Sequence, residues 1–400
     1  MLTTIIIDQK TIEFYDDYLV GKKSESVCSN KPIHLFNILR KGDENISKEN
    51  TAPKKITVPN EADVLSSLLS SVTLFMLSEN IFSITNERKD EYIIKSDEIA
   101  RKEGYVQIEI PVHISTKQRK IEAWEYIHDE ERPTVVIFHP NACTGSSMAK
   151  IGRYYQSREY NVLLPTMGGY PGSPGIGTSE VSVYQDIEAI KLYLSMKGVK
   201  HVGFHGMSLG GALAIHAAST ENPESLNTFF IVADQTFTSA EEVAGNVATN
   251  CFGALFAGIS KDIINAAVPK ERYVELPGGK FIKTNGFNSK EKVKTIKEKK
   301  IPIFFIVASN DNFTGIGMHD QKKGYESDFG YDMAKIVYGD SYEKYVLRLE
   351  NRKHASLFYY PLVNKELGQT REDALAIADH YVSEMDNFLS EDPFDNSEHL

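Results

Sequence analysis

Cysteine is scarce in this chain: Cys28, Cys143 and Cys251 are the only three in 400 residues. They are odd in number, far apart and without metal-ligand spacing, which excludes a disulfide framework and a cysteine-held metal. Free thiols in a reducing compartment are the simplest reading. Basic residues are also in deficit. Lysine and arginine total 44 against 55 acids, a formal net charge of −11 at pH 7. Nucleic-acid binding needs a concentrated basic face to release counterions, and a net negative charge argues against it. Long apolar runs are missing too. The most apolar stretch, Val64 to Leu77, is interrupted by four serines and a threonine. That is too short and too polar to span a bilayer. Its Leu65, Leu68, Leu69, Val72, Phe75 and Met76 fall on one helical stripe and read as a packed helix. The N-terminus, M-L-T-T-I-I-I-D-Q-K, lacks a basic lead and an extended apolar core, so it does not read as a secretory signal. The expected location is cytoplasmic, with export by a route that needs no N-terminal signal kept as a second option.

What is present is ordinary for a globular protein: 41% hydrophobic and 25% charged residues, enough chain for one large or two modest domains. Residues 1–100 carry no readable chemical motif. With the charged, turn-rich segment Lys41 to Lys55 and the helix that follows it, they read as a mainly helical N-terminal extension of unknown role. From Tyr105 the rhythm changes. Tyr105 to Val112 and Lys120 to Ile127 alternate apolar and polar, the pattern of an antiparallel pair. Thr134 to Phe138 and Tyr160 to Pro165 are continuous apolar runs, as in strands buried on both faces of a parallel sheet. A helix over Val183 to Leu194 follows, with Asp186 and Glu188 placed in its first turns, where the helix dipole favours acids. Phe229 to Ala233, Ile301 to Ala308 and Tyr345 to Leu349 give further strands, and Arg371 to Leu389 a final amphipathic helix. Alternating strands and helices predict an α/β fold, a mostly parallel sheet flanked by helices. Residues 101–390 form that domain, and the acidic 391–400 read as a disordered tail.

The stretch from Val199 to Ser219 organises the rest. A short apolar run breaks at Gly206-Met207-Ser208-Leu209-Gly210 and resumes as a small-residue helix. This is strand, sharp turn and helix, with a serine at the apex. Side chains two residues before or after that serine would strike neighbouring backbone, and glycine at both places removes the collision. The helix N-terminus then aims its free N–H groups at the serine oxygen, where negative charge would develop.

Residues 240–298 interrupt the strand–helix rhythm. An apolar, small-residue stretch (Ala244 to Ile259) precedes Pro269, Pro277, Gly278 and Gly279, and then the lysine-rich Lys290 to Lys300. The insertion reads as a cap over the site, and Lys290 to Lys300 as a solvated face.

Asp311 and His354 also fall just beyond strand ends, giving the chain order Ser208, Asp311, His354. A serine hydroxyl becomes a nucleophile when a base takes its proton, and the base needs a third group to orient it. Asp320 and Asp234 are rival acids by position. The chain from about 105 to 390 resembles the α/β-hydrolases of the serine esterase, lipase and peptidase superfamily. Besides the G-M-S-L-G turn, Phe138-His139-Pro140-Asn141-Ala142 is similar to that family's F-H-G-N-A-like loop, and Tyr170-Pro171-Gly172-Ser173-Pro174-Gly175 to its Y-G-x-S-x-G-like loop. Ser182 to Leu194 is similar to the helix before its nucleophile strand. Hydrolase-like effector proteins of intracellular bacteria are a looser likeness.

The resemblance implies a serine hydrolase without metal or organic cofactor, cleaving an ester, thioester or amide through an acyl-enzyme. Ser208 would be the nucleophile, His354 the base and Asp311 its orienting acid. The backbone N–H of Leu209 and one from Asn141 or Ala142 would form the oxyanion hole. Pro140 departs from the family's glycine and has no N–H of its own to offer. His139, Tyr170, Met207, Phe252 and Phe256 are the expected substrate-side residues, and His216 a structural one. The implied partner is a small-molecule or lipid acyl substrate, with peripheral membrane contact. A catalytically inactive hydrolase fold that binds a partner through residues 1–100 is the competing reading.

Overall fold

The computed structural model describes residues 86–114, 117–141, 143–173, 180–240, 242–243, 273–277, 279, 281–284, 286–309, 311, 314, 329–350, 352, 354 and 370–390. The expected helix after Lys55, most of the expected cap and the acidic tail lie outside these residues. Helix α1 (Asn86–Lys102) leads into an eight-stranded sheet. Its strands are β1 (Val106–Ile114), β2 (Lys117–Tyr126), β3 (Thr134–Phe138), β4 (Asn161–Pro165), β5 (His201–Met207), β6 (Asn227–Asp234), β9 (Ile303–Ala308) and β10 (Val346–Leu349). The order across the sheet is β1-β2-β4-β3-β5-β6-β9-β10. β2 runs antiparallel to both β1 and β4, and every other pairing is parallel. A separate hairpin pairs β7 (Tyr273–Glu275) with β8 (Phe281–Lys283). The expected α/β class, with a mostly parallel sheet and flanking helices, is borne out.

The continuous apolar runs exist because the central strands face helices on both sides. In β3, Val136 and Phe138 enter one apolar cluster while Val135 and Ile137 enter the other. The first cluster packs α3 (Glu180–Met196), α4 (Leu209–Ser219), α5 (Ser289–Glu298) and α6 (Phe329–Tyr338) on the sheet through residues such as Ile187, Leu213, Val293 and Met333. The second packs α1, α2 (Ala149–Gln156) and α7 (Arg371–Ser390) through Ala100, Tyr155, Tyr381 and Phe388. Helix α7 is clamped at one point: Asp386 pairs with Arg158 and accepts the Tyr154 hydroxyl at 2.7 Å.

Two details differ from the sequence reading. Val293 and Ile296 of α5 are fully buried beside α4 and α6, so only the lysine side of this helix is solvated. The end of the 240–298 insertion is thus a layer helix on the sheet. Helix α3 extends three residues before the expected start at Val183, to Glu180. The Glu180 carboxylate accepts the backbone N–H groups of Gly286 and Phe287 at 3.0 and 2.9 Å. Asp186, expected in the first turns of this helix, lies in its second turn and is fully buried. No helix among the described residues is long and apolar enough to cross a membrane.

Candidate active site

Parallel strands of such a sheet place their carboxyl ends on one rim, where ligands of open α/β sheets bind. Ser208 follows β5 on that rim and precedes α4, with φ 55° and ψ −116°. A non-glycine residue in that region costs about 1–3 kcal/mol and persists only where its surroundings fix it. Here they do. Ser208 N–H donates to the Asp234 carbonyl at 2.8 Å, and the Ser208 carbonyl accepts the Thr236 hydroxyl at 2.8 Å and Gly211 N–H at 3.0 Å. The flanking glycines are required by contact. A Cβ on Gly206 would stand 1.9 Å from the Gly210 carbonyl oxygen, and one on Gly210 would stand 2.1 Å from that of Phe138. The first turn of α4 thus rests directly on the end of β3.

Two further loops converge on the serine. His354, beyond β10, lies with Nε2 2.8 Å from Ser208 Oγ and Nδ1 2.7 Å from Asp311 Oδ2. Asp311 follows β9 and is almost wholly buried, whereas the His354 side chain retains 14% exposure. Burial by itself would raise the Asp311 pKa. The adjoining His354 ring and the hydrogen bonds from Thr314 outweigh it and hold this carboxyl below the usual range. Thr314 N–H donates to Asp311 Oδ1 at 2.9 Å, and its hydroxyl lies between Asp311 Oδ2 and the Gln235 carbonyl. The carboxylate is therefore ionised and aimed at Nδ1. That fixes the imidazole tautomer and leaves Nε2 as an acceptor for the serine proton.

Of the rival acids, Asp234 is engaged elsewhere and Asp320 lies outside the described residues. The Asp234 carboxylate accepts Gln235 Nε2 at 3.0 Å and faces His205 Nε2 at 3.9 Å. His205 in turn shares a 2.8 Å hydrogen bond with the Tyr155 hydroxyl, in the buried layer beneath α2 and α7.

The order β1-β2-β4-β3-β5-β6-β9-β10, with β2 reversed and a serine elbow between β5 and α4, settles the architecture. The fold is that of the α/β-hydrolases. No protein-family model matches the chain, and no curated protein matches its sequence. Among solved structures it is similar to the Pyrococcus furiosus esterase Pf2001, with 15% identity over 72% of this chain and 91% of that one and a TM-score of 0.45. It is also similar to an α/β-hydrolase from Vibrio vulnificus, with 17% identity over 84% of this chain and 98% of that one and a TM-score of 0.47.

The α/β-hydrolase rim distributes the remaining expected residues unevenly. Leu209 opens α4, so its N–H belongs to the unsatisfied donors of a helix start. Asn141 is exposed just beyond β3, and Tyr170 donates its hydroxyl to Asn141 Oδ1 at 3.0 Å. Ala142, Phe252 and Phe256 lie outside the described residues. His139 is fully buried, and burial pushes its pKa down to about 4, so the ring is neutral. Its Nδ1–H donates to the Pro140 carbonyl at 2.8 Å and its Nε2 accepts Met167 N–H at 3.1 Å. His139 thus joins two loops from within. Met207 is also fully buried, in the cluster beneath α2 and α7. His216 is buried with its ring stacked on Tyr184 at 3.4 Å, a packing position. Among the described residues, no group of three or more His, Cys, Asp or Glu side chains is arranged to hold a metal ion.

Sequence reasoning missed Thr236, which bonds the Ser208 carbonyl, and Thr314, which bonds the Asp311 carboxylate. A threonine a few residues past a strand end is too common to single out; only the fold shows where its hydroxyl goes.

Proposed function

We propose that the chain is a serine hydrolase that cleaves an ester, thioester or amide of a small-molecule or lipid acyl compound through an acyl-enzyme. The observation that carries this reading is the unbroken hydrogen-bonded line Ser208–His354–Asp311, with spacings of 2.8 and 2.7 Å. Ser208 Oγ attacks the acyl carbonyl carbon while His354 Nε2 takes the hydroxyl proton. Asp311 stabilises the imidazolium and keeps it oriented. The charge that develops on the carbonyl oxygen falls at the start of α4, where Leu209 N–H and a donor from Asn141 or Ala142 receive it. A single donor of this type contributes about 3–4 kcal/mol to the transition state. His354 then returns the proton to the leaving group, and an attacking water reverses the sequence to release the acid.

The test is labelling of the full chain by a fluorophosphonate probe, with Ser208→Ala and His354→Ala variants alongside. We expect labelling of the wild type and its loss in both variants, after which esters of graded acyl length define the substrate. Folded wild-type protein that takes up no probe would overturn the reading and favour a binding or scaffolding role for this fold.

A further inference from the structure

Behind the loops that carry Asn141 and Tyr170 lies an ion pair that the proposed chemistry does not use. Arg119 of β2 pairs with Asp186 of α3. The Asp186 side chain is fully buried and that of Arg119 is 13% exposed. Attraction in such a pair is offset by the loss of hydration unless further hydrogen bonds complete it. Here they do, and one of them grips a loop. Asp186 Oδ2 accepts Gly168 N–H at 2.7 Å, while Arg119 Nη2 donates to the Ser182 carbonyl at 2.9 Å. The approach is close: a Cβ on residue 168 would lie 2.6 Å from Arg119 Nη1 and 3.0 Å from Asp186 Oδ2, so a side chain there would push the arginine head group aside.

The grip continues residue by residue towards the site. Met167, next to Gly168, donates its N–H to His139 Nε2 at 3.1 Å. Tyr170 sets its ring edge-on to His139, with centroids 4.6 Å apart, and donates its hydroxyl to Asn141 Oδ1 at 3.0 Å. Both links end on the loop after β3. The carbonyl oxygens of Phe138, which ends β3, and of His139, which opens that loop, stand 2.1 and 2.9 Å from where a Gly210 Cβ would be, against the first turn of α4. The loop is thus held from below by α4 and from the side by the Asp186–Gly168 contact.

We propose that Asp186 and Arg119 are positioning residues for the oxyanion hole. They fix the loop after β4, and through Met167, His139 and Tyr170 they fix where Asn141 stands. Neither residue touches the substrate. The inference rests on the serine-hydrolase reading and adds to it a device for setting the second donor.

The experiment uses the full chain and the same fluorophosphonate probe, resolved into the limiting rate of Ser208 modification and the half-saturating probe concentration. Thermal unfolding is recorded in parallel. The first variant is the double substitution R119M/D186L, because an apolar pair of similar volume removes both charges together and leaves neither buried without its partner. It removes the acceptor for Gly168 N–H. We expect unfolding that stays cooperative but falls by a few degrees, because Gly168 N–H and the Ser182 carbonyl lose their partners, and a limiting rate lowered by about tenfold or more, since a displaced oxyanion donor acts on the transition state. The half-saturating concentration should stay within about twofold, as for an interaction made only in the transition state. Tyr170→Phe, which removes one hydroxyl from the end of the relay, should lower the limiting rate in the same sense by a smaller factor. A folded double variant with the wild-type limiting rate would overturn the inference, and so would Tyr170→Phe at the wild-type rate if the double variant does not fold. Wild-type protein without labelling at Ser208 overturns the parent reading, and the inference with it.

Discussion

Replacing Gly206 by alanine is the sharpest probe of the elbow. The new Cβ would lie 1.9 Å from the Gly210 carbonyl oxygen, 2.1 Å from its carbon and 2.6 Å from Gly211 nitrogen. Relaxed contacts of carbon with oxygen or carbon are about 3.3–4.0 Å, so relief requires a shift of more than about 1 Å. All three struck atoms are backbone, and no rotamer change can move them aside. The first turn of α4 must therefore give way, taking Ser208 and Leu209 with it. A displacement of about 1 Å can cost about 10²-fold in rate, and overpacking typically costs about 1–3 kcal/mol in stability. The assay is the rate of fluorophosphonate labelling together with the melting temperature. We expect labelling slowed about 100-fold and melting lowered by a few degrees. Gly198→Ala is the control, since Gly198 has φ +81° but open space around its Cβ position. It should cost about 1 kcal/mol through backbone strain and leave labelling unchanged. G206A that labels and melts like the wild type would refute the packing argument, as would an equal loss of labelling in G198A.

Asp311→Asn should slow labelling by about 10³- to 10⁴-fold by favouring the wrong histidine tautomer, and a loss below tenfold would count against its role. The folded-state pKa of Asp311 is lowered, so its contribution to stability is present above the ordinary carboxylate range and lost as pH falls through the lowered value. D311N should be less stable than the wild type at neutral pH and converge on it in acid, as read from denaturant unfolding. Asp186 has the opposite sign: burial, opposed by Arg119 and Gly168 N–H, pushes its pKa up to about 6. Its contribution is present below the ordinary carboxylate pKa and declines as pH rises through about 6, so Asp186→Asn should flatten the stability profile between about pH 4 and 6. An unchanged slope there would refute this. Phe388, 5% exposed and stacked on Phe304 at 5.0 Å, should cost about 3–5 kcal/mol on truncation to alanine. Arg158→Ala, which breaks the partly exposed pair with Asp386, should cost no more than about 1 kcal/mol in the same unfolding assay. Equal losses would mean that α7 is not held mainly by its apolar face.

Local sequence was enough for much of the fold. Runs such as Thr134 to Phe138 and Ile303 to Ala308 can satisfy both sides only inside a sheet covered by helices, and they occupy such places. Gly206, Ser208 and Gly210 announce the elbow because their spacing answers a backbone collision within five residues, and a short-range constraint leaves a short-range trace. The order Ser208, Asp311, His354 was legible because each follows a strand end. Tertiary structure alone decided the rest. It set the carboxylate of Asp311, and not that of Asp234, against His354, because the direction of a carboxylate past a strand end depends on which ring stands opposite: His354 for one, His205 for the other. It turned His139 and Met207 inward, because strand periodicity says that neighbours alternate but not which face meets a helix and which meets substrate. It also converted Asp186 from an expected helix-start acid into half of a buried ion pair. Arg119 lies 67 positions earlier in the chain, and no local pattern marks a charge whose partner is brought to it only by the folding of the sheet.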